Sequence, residues 1–453
     1  MKSFFKSYCL YLSLFMLATA CSNSKTQEPV IEAPVVSQAS YSPESIVFSL
    51  NLLSNILFGV DTTLQVLEAD APKAMEMVLG DSTVQQKIGK WSIVWGPVIY
   101  SSRTSDVRKY DVVDNLLVLF RNESKTNGVP EYVLATSGTN DISKFGWFDE
   151  DFDVYKMINW PNKTTTGSIR GFVKDMQGKG TTSPNGKAVS IGTATGISKL
   201  LEMKDGARGT IYSALKDLNL SNTTIAVAGH SLGGALSPTL ALALKDYQQE
   251  WNPDATVRIT TYPTAGASPG NKAFREYFYT QFNGNFFGKM NLNDMVPHAW
   301  QANLLDSIPQ LYKGEPYIQN VCLIDNLMSK VQGKIKRVFG SNSYASLYCE
   351  DNGLTPDPNK SFMEPYDSTL MSKTVIDEMN DCCKHYLDPF KKCNYKDLSA
   401  GYLTVMGELG CSKGDGARCD QMGATFLFLK QAGYQHTTAY NNYYGIQLIQ
   451  DKM

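Results

Sequence analysis

Thr223-Thr224-Ile225-Ala226-Val227-Ala228-Gly229-His230-Ser231-Leu232-Gly233-Gly234 is the stretch on which the reading of the whole chain turns. Its first six residues are a short, β-branched, apolar run with strand character, and residues 235–247, rich in Ala and Leu, have helix character. Between them a serine stands in the pattern Gly-x-Ser-x-Gly. Strand, tight turn and helix in immediate succession are the context in which that pattern lifts a serine clear of a sheet edge. So sharp a turn crowds positions two residues away, so Gly229 and Gly233 are expected where a side chain would clash. Ser231 is the candidate nucleophile. The N–H of Leu232, at the head of the helix, is a candidate donor to negative charge developing nearby. His230 is next to Ser231 in sequence, so its side chain projects elsewhere and reads as structural. The fold class implied is α/β.

The chain holds a second match, Gly266-Ala267-Ser268-Pro269-Gly270, which fails chemically because Pro269 has no N–H to donate. An activated serine needs a base and an acid, expected in the order Ser, Asp, His on later loops. Three histidines follow Ser231. His298 lies four residues after the best aspartate, too near to come from a separate loop, and His385 sits in a cysteine cluster. His436, after the apolar run Phe426 to Tyr434, is the candidate base. Asn285 to Met290 has the character of a short strand, and the turn after it carries Asp294, the candidate acid; Asp306 and Asp325 lack such a strand. The acid's role would be to hold the imidazole tautomer and stabilise the imidazolium.

Upstream, Ser42 is a plausible N-cap and Pro43 a first helical residue, opening an apolar-periodic stretch to about Leu79 that reads as helix. Trp91 to Tyr100, Val112 to Phe120 and Tyr132 to Thr136 read as strands, the last two as neighbours. Gly178 to Gly196 is polar and glycine-rich and reads as surface loop. Thr210 to Leu218 reads as helix.

In four stretches the chain resembles the class 3 lipase family, the fungal-lipase-like branch of α/β-hydrolases. Ser137-Gly138-Thr139 after a strand is similar to that family's oxyanion loop, with Ser137 in place of the usual arginine. The elbow at Gly229 to Gly234 is similar to the family's form. Thr264 to Asn271 with Phe274 resembles the segment one strand later, which accounts for the second Gly-x-Ser-x-Gly as a strand-to-helix turn. Asn291 to Pro297 resembles the Asn-x-x-Asp-x-Val-Pro acid loop. The resemblance implies an α/β-hydrolase fold, a mostly parallel central sheet with helices on both faces. It implies ester hydrolysis through an acyl-enzyme on Ser231, Asp294 and His436, with Thr139 and Leu232 as the oxyanion donors and no metal or organic cofactor. Acid and base stand much further apart than the family usually needs, so about 306–421 reads as an insertion, either a cap over the site or decoration at the sheet edge.

The 453 residues are 43% hydrophobic, enough for one large α/β domain with an insertion, and a net charge of −2 gives no global field for nucleic acid. Lys2 and Lys6 precede an apolar run ending Ala18-Thr19-Ala20-Cys21, which reads as a signal peptide over residues 1–20. Cysteine directly after the cut resembles the bacterial lipoprotein signal, making Cys21 a lipid anchor; ordinary secretion is the alternative. Residues 21–42 read as a flexible tether and 43–453 as the hydrolase domain. The implied location is the bacterial cell envelope, and Ser22 is compatible with outer-membrane sorting. Seven further cysteines, Cys322 to Cys419, read as structural disulfides with one thiol left over. A zinc site at Cys382, Cys383, His385 and Cys393 lacks a clean CxxC pair. The aromatics from Phe145 to Trp160 either line an acyl pocket or pack as an edge of the core. The expected partner is an ester, acylglycerol foremost. Phospholipase, feruloyl-type esterase, acyltransferase and non-catalytic binding lipoprotein remain as alternative readings.

Overall fold

The computed structural model describes residues 40–102, 110–125, 128–315, 317–318, 321–340, 343–350, 355–370, 373–385 and 419–453. The signal peptide, Cys21, the tether up to residue 39, Cys393 and Cys411 lie outside the described residues. Five strands build the central sheet: β1 (Trp91–Tyr100), β2 (Asn115–Asn122), β3 (Tyr132–Thr136), β4 (Thr224–His230) and β5 (Arg258–Thr264), in the order β5-β4-β3-β2-β1. The three segments read as strands before the elbow are β1, β2 and β3, with β2 starting three residues later than expected. β2 and β3 are indeed neighbours. β2 shows why the sheet's strands read as apolar runs: Leu117 and Leu119 enter one core while Leu116, Val118 and Phe120 enter the other.

The sheet is mixed rather than mostly parallel. β1, β2 and β3 follow one another through short links and pair antiparallel, whereas β3–β4 and β4–β5, joined by helical crossovers, pair parallel. Beyond β5 the chain runs alongside in parallel through the bridges Thr261–Phe286 and Thr264–Lys289. The expected strand at Asn285 to Met290 is thus a bridged edge segment whose regular pairing covers only Met290–Asn291, against Ser361–Phe362.

Nine helices matter to the site: α1 (Pro43–Leu53), α2 (Leu64–Gly80), α3 (Ile191–Glu202), α4 (Leu232–Asp246), α5 (Lys272–Phe282), α6 (Cys322–Phe339), α7 (Lys373–Lys384), α8 (Met422–His436) and α9 (Thr438–Tyr444). The Ser42 hydroxyl accepts the Ser45 N–H at 3.1 Å, and Pro43 opens α1. The single helix expected through Leu79 is two. α1 stops at Leu53, a run of turns passes Gly59 at φ 78°, and Thr63 caps α2.

The stretch Gly178 to Gly196 is the clearest departure from the sequence reading. Its second half is a short strand at Ala188–Ser190 and the buried first half of α3. Gly192 and Gly196 mark close approach rather than exposure: a Cβ at Gly192 would lie 1.7 Å from the Glu150 carbonyl oxygen, and one at Gly196 would lie 2.7 Å from a Leu236 methyl.

α1, α2 and α9 cover one face of the sheet, and α3, α4 and α5 the other. A third core joins α6, α7 and α8 through Ile324, Val331, Ile335, Ile376, Met379, Leu427 and Phe428. Here the Cys383–Cys419 disulfide ties α7 to the residues just before α8. Cys322 and Cys382 are also oxidised, and Cys349 is a free, buried thiol. Of the residues considered for zinc, Cys382 and Cys383 are in disulfides and His385 lies on the surface beside Asp381. Among the described residues no helix is long and apolar enough to cross a membrane.

Candidate active site

β4 ends in His230, and the chain turns at Ser231, which adopts φ 61°, ψ −124°, before α4 begins at Leu232. A side-chain-bearing residue in that region stores strain of about 1–3 kcal/mol, which persists only where the surroundings enforce it. They do so here by close packing. A Cβ at Gly229 would sit 1.9 Å from the Gly233 carbonyl oxygen, and one at Gly234 would sit 2.2 Å from that of Thr264. The Ser231 N–H is held by the Thr264 carbonyl at 3.0 Å.

Three chain segments converge on this serine. The Ser231 hydroxyl donates to His436 Nε2 at 2.8 Å, and His436 Nδ1–H donates to Asp294 Oδ2 at 2.9 Å. Asp294 has no exposed surface and is satisfied by two more donors, the Val296 N–H on Oδ1 at 2.9 Å and the Tyr440 hydroxyl on Oδ2 at 3.1 Å. Burial disfavours the charged imidazole of His436, but the Asp294 carboxylate, by charge and hydrogen bond, outweighs it and holds the pKa above the usual value.

His230 sits beneath this array. The His436 carbonyl can only accept, so the hydrogen is on His230 Nε2, 2.8 Å away, and Nδ1 accepts from the Thr264 hydroxyl at 3.0 Å. Burial, then the neighbouring charge of His436, keeps His230 neutral with a pKa far below the ordinary one. It supports the backbone of the candidate base. His298 is buried against the Ser307 hydroxyl at 3.0 Å, and burial lowers its pKa to about 4.

Thr139 also lines the cavity, and Gly138 beside it presses on the elbow: a Cβ there would be 2.9 Å from the His230 carbonyl. The Thr139 hydroxyl donates to Asp151 at 2.7 Å. Burial raises Asp151 to about pKa 7, against the opposing effects of that hydrogen bond and of His436. Leu232 is the first residue of α4, a position whose N–H has no intrahelical partner. Ser268 of the second Gly-x-Ser-x-Gly is buried with its hydroxyl unpartnered, and Gly266 there packs against Gly234.

The cavity above Ser231 has a volume of about 330 Å³. One wall comes from α1 and the turn after it, with Phe48, Leu52, Asn55 and Phe58. A second is aromatic: Trp147 stacks on Phe152, and Phe152 meets Trp300 edge-on at 5.4 Å. The third is Leu305 and Ile308 with Leu327, Met328 and Val331 of α6, four of the five from the segment read as an insertion. Of the aromatics named from sequence, Trp147 and Phe152 border the cavity; Phe145 packs on Tyr100, and Trp160 belongs to the core, its ring N–H on Asp246 at 2.8 Å. Sequence reasoning did not single out Asn55, Asp151 or Tyr440. Only Tyr440, four residues after His436 in an aromatic run, carried a usable signal.

A nucleophile elbow on a mixed α/β sheet, with serine, imidazole and carboxylate in one hydrogen-bonded line, defines the α/β-hydrolase class. The model of the class 3 lipase family matches residues 162–304, which include the elbow, the second glycine-rich turn and the acid loop. Over that segment the chain is similar to class 3 lipases. No curated protein matches the chain. Among solved structures, M37 lipase is similar with 22% identity, covering 91% of this chain and 94% of its own at a TM-score of 0.61, which establishes the shared fold. Lipase II from Rhizopus niveus, at 15% identity, covers 57% of this chain and 74% of its own with a TM-score of 0.34.

Proposed function

We propose that the protein hydrolyses uncharged lipid esters, acylglycerols foremost, through an acyl-enzyme on Ser231. One observation carries the reading: the unbroken line Ser231–His436–Asp294 opening onto an apolar cavity. His436 Nε2 takes the Ser231 proton as Oγ bonds to the ester carbonyl carbon. The oxyanion is stabilised by the N–H groups of Thr139 and Leu232. Collapse expels the alcohol, which receives that proton from His436. Water, deprotonated by the same nitrogen, then attacks the acyl-enzyme, and the proton passes from His436 to Ser231 Oγ as the acid leaves.

The cavity's lining favours neutral substrates. Among the described residues it includes Asp141 and Asp151 and no Lys or Arg, so an anionic phospholipid headgroup would meet carboxylates and no fixed cation. The α6 side chains over Ser231 favour the cap reading of the insertion. Cys21 is proposed as the lipid anchor and the cell envelope as the location; incorporation of an alkyne-tagged fatty acid that is lost in Cys21→Ala tests both. For the activity, a fluorophosphonate should label Ser231 and fail on Ser231→Ala and His436→Ala, and trioctanoin should be cleaved well ahead of phosphatidylglycerol. A folded protein that takes no label overturns the hydrolytic mechanism. Preference for phosphatidylglycerol overturns the substrate class.

A further inference from the structure

We propose that Asn55, in the turn after α1, is a positioning residue that sets the oxyanion loop. The inference rests on the reading of Ser231 and Thr139 given above. β3 ends at Thr136, so Ser137 to Asn140 must be held in place by something other than sheet pairing. Ser137 is fixed on both sides by β2, its N–H on the Leu116 carbonyl at 3.0 Å and its hydroxyl accepting the Leu116 N–H at 2.8 Å. Asn140 is fixed by its side chain, which accepts the Gly59 N–H at 3.1 Å and donates to the Val113 carbonyl at 3.1 Å.

Between these anchors lies Gly138, a residue with no side chain to restrain its own dihedrals. Its N–H is taken by Asn55 Oδ1 at 3.0 Å. Asn51, one helical turn earlier, donates to the Thr136 carbonyl at 3.0 Å. The first described helix therefore grips the strand end, and the turn after it grips the glycine that immediately precedes the Thr139 N–H. An N–H can only donate, so the Asn55 amide is oriented with its oxygen toward Gly138. Without that acceptor, the Ser137–Gly138 peptide is free to rotate, and the Thr139 N–H with it. The donor is useful only when it lies about 3 Å from the oxyanion.

The test compares full-length wild type, Asn55→Ala and Asn55→Gln on p-nitrophenyl butyrate, with an alkylboronic acid as tetrahedral analogue. Asn55→Ala should lose about ten- to a hundredfold in kcat, short of the full loss of an oxyanion donor, with KM within about twofold. Boronic acid affinity should weaken by the same factor as kcat/KM. Asn55→Gln, which keeps the acceptor on a longer arm, should recover part of both. If Asn55→Ala fails to fold, the glutamine variant carries the comparison, and boronate affinity that does not follow its kcat/KM overturns the proposal. An unchanged kcat, or a change confined to KM or to melting temperature, overturns it too. A wild type that takes no fluorophosphonate label instead refutes the Ser231 mechanism.

Discussion

Replacing Asp294 by Asn is the perturbation whose outcome the geometry fixes most tightly. Both carboxylate oxygens face donors: Oδ1 the Val296 N–H, Oδ2 the His436 Nδ1–H and the Tyr440 hydroxyl. An amide must turn its NH₂ toward one side. Against Val296 it meets a backbone donor that cannot move; against His436 it forces Nδ1 to become the acceptor. The imidazole hydrogen then moves to Nε2, facing Ser231, and the base is lost. The charge disappears as well. At about 4 Å and an effective dielectric constant of about 20, a full charge pair is worth about 4 kcal/mol. At 1.36 kcal/mol per decade this is about a thousandfold in rate before the tautomer is counted. Asp294→Asn should therefore lower kcat on p-nitrophenyl butyrate, and the fluorophosphonate labelling rate, by about a thousandfold or more. A loss under about tenfold, with Ser231→Ala inactive, would refute the assignment of Asp294.

The wild-type pH profile follows from His436, which must be neutral to act: kcat/KM should fall as pH drops through a midpoint above the ordinary imidazole value, and a midpoint below it contradicts the Asp294 contact. The same raised pKa contributes stability that is complete below about pH 6.5 and is lost as pH rises through the folded value, readable as a shift in melting temperature. Gly333→Ala in α6, where a Cβ meets nothing within 4 Å, should stabilise the protein by about 0.5–1 kcal/mol in chemical denaturation. Gly192→Ala should cost at least about 1–3 kcal/mol, because its Cβ collides with the Glu150 carbonyl. Val331→Phe should shorten the preferred acyl chain, lowering kcat/KM for laurate esters by about tenfold or more while sparing butyrate; equal losses on both would show that α6 does not measure chain length. Opening the Cys383–Cys419 bridge, which closes a separation of 36 residues, by Cys419→Ser should cost about 3–4 kcal/mol of unfolding free energy.

The strand, elbow and helix at residues 224–246 were legible because one local pattern fixes all three: a β-branched run, glycines where a Cβ would strike backbone, and an Ala- and Leu-rich helix. Ser231, Asp294 and His436 were found by the order of chemistry along the chain, and the structure brings them together. α3 was hidden because glycine punctuates a loop and permits close packing with equal ease, and only the neighbouring backbone of Glu150 tells the two apart. Asn55 and Asp151 were illegible for another reason. Each acts through a partner more than ten residues away, and no periodicity records such a pairing. The mixed sheet was missed because strand direction depends on connections, which an apolar run does not encode.

The Ser45 hydroxyl of α1 donates to the Tyr444 carbonyl at 2.8 Å, 399 positions along the chain, and α1 packs against α9 in one core. The candidate base arrives on α8, immediately before that last contact. A polypeptide emerging N-terminus first thus carries its serine long before it can use it. Until α8 and α9 dock beside α1, the elbow is present but has no imidazole to face. The Ser231–His436 contact thus reports on the whole intervening chain: it forms only once the polypeptide has been made past residue 436 and α8 has docked.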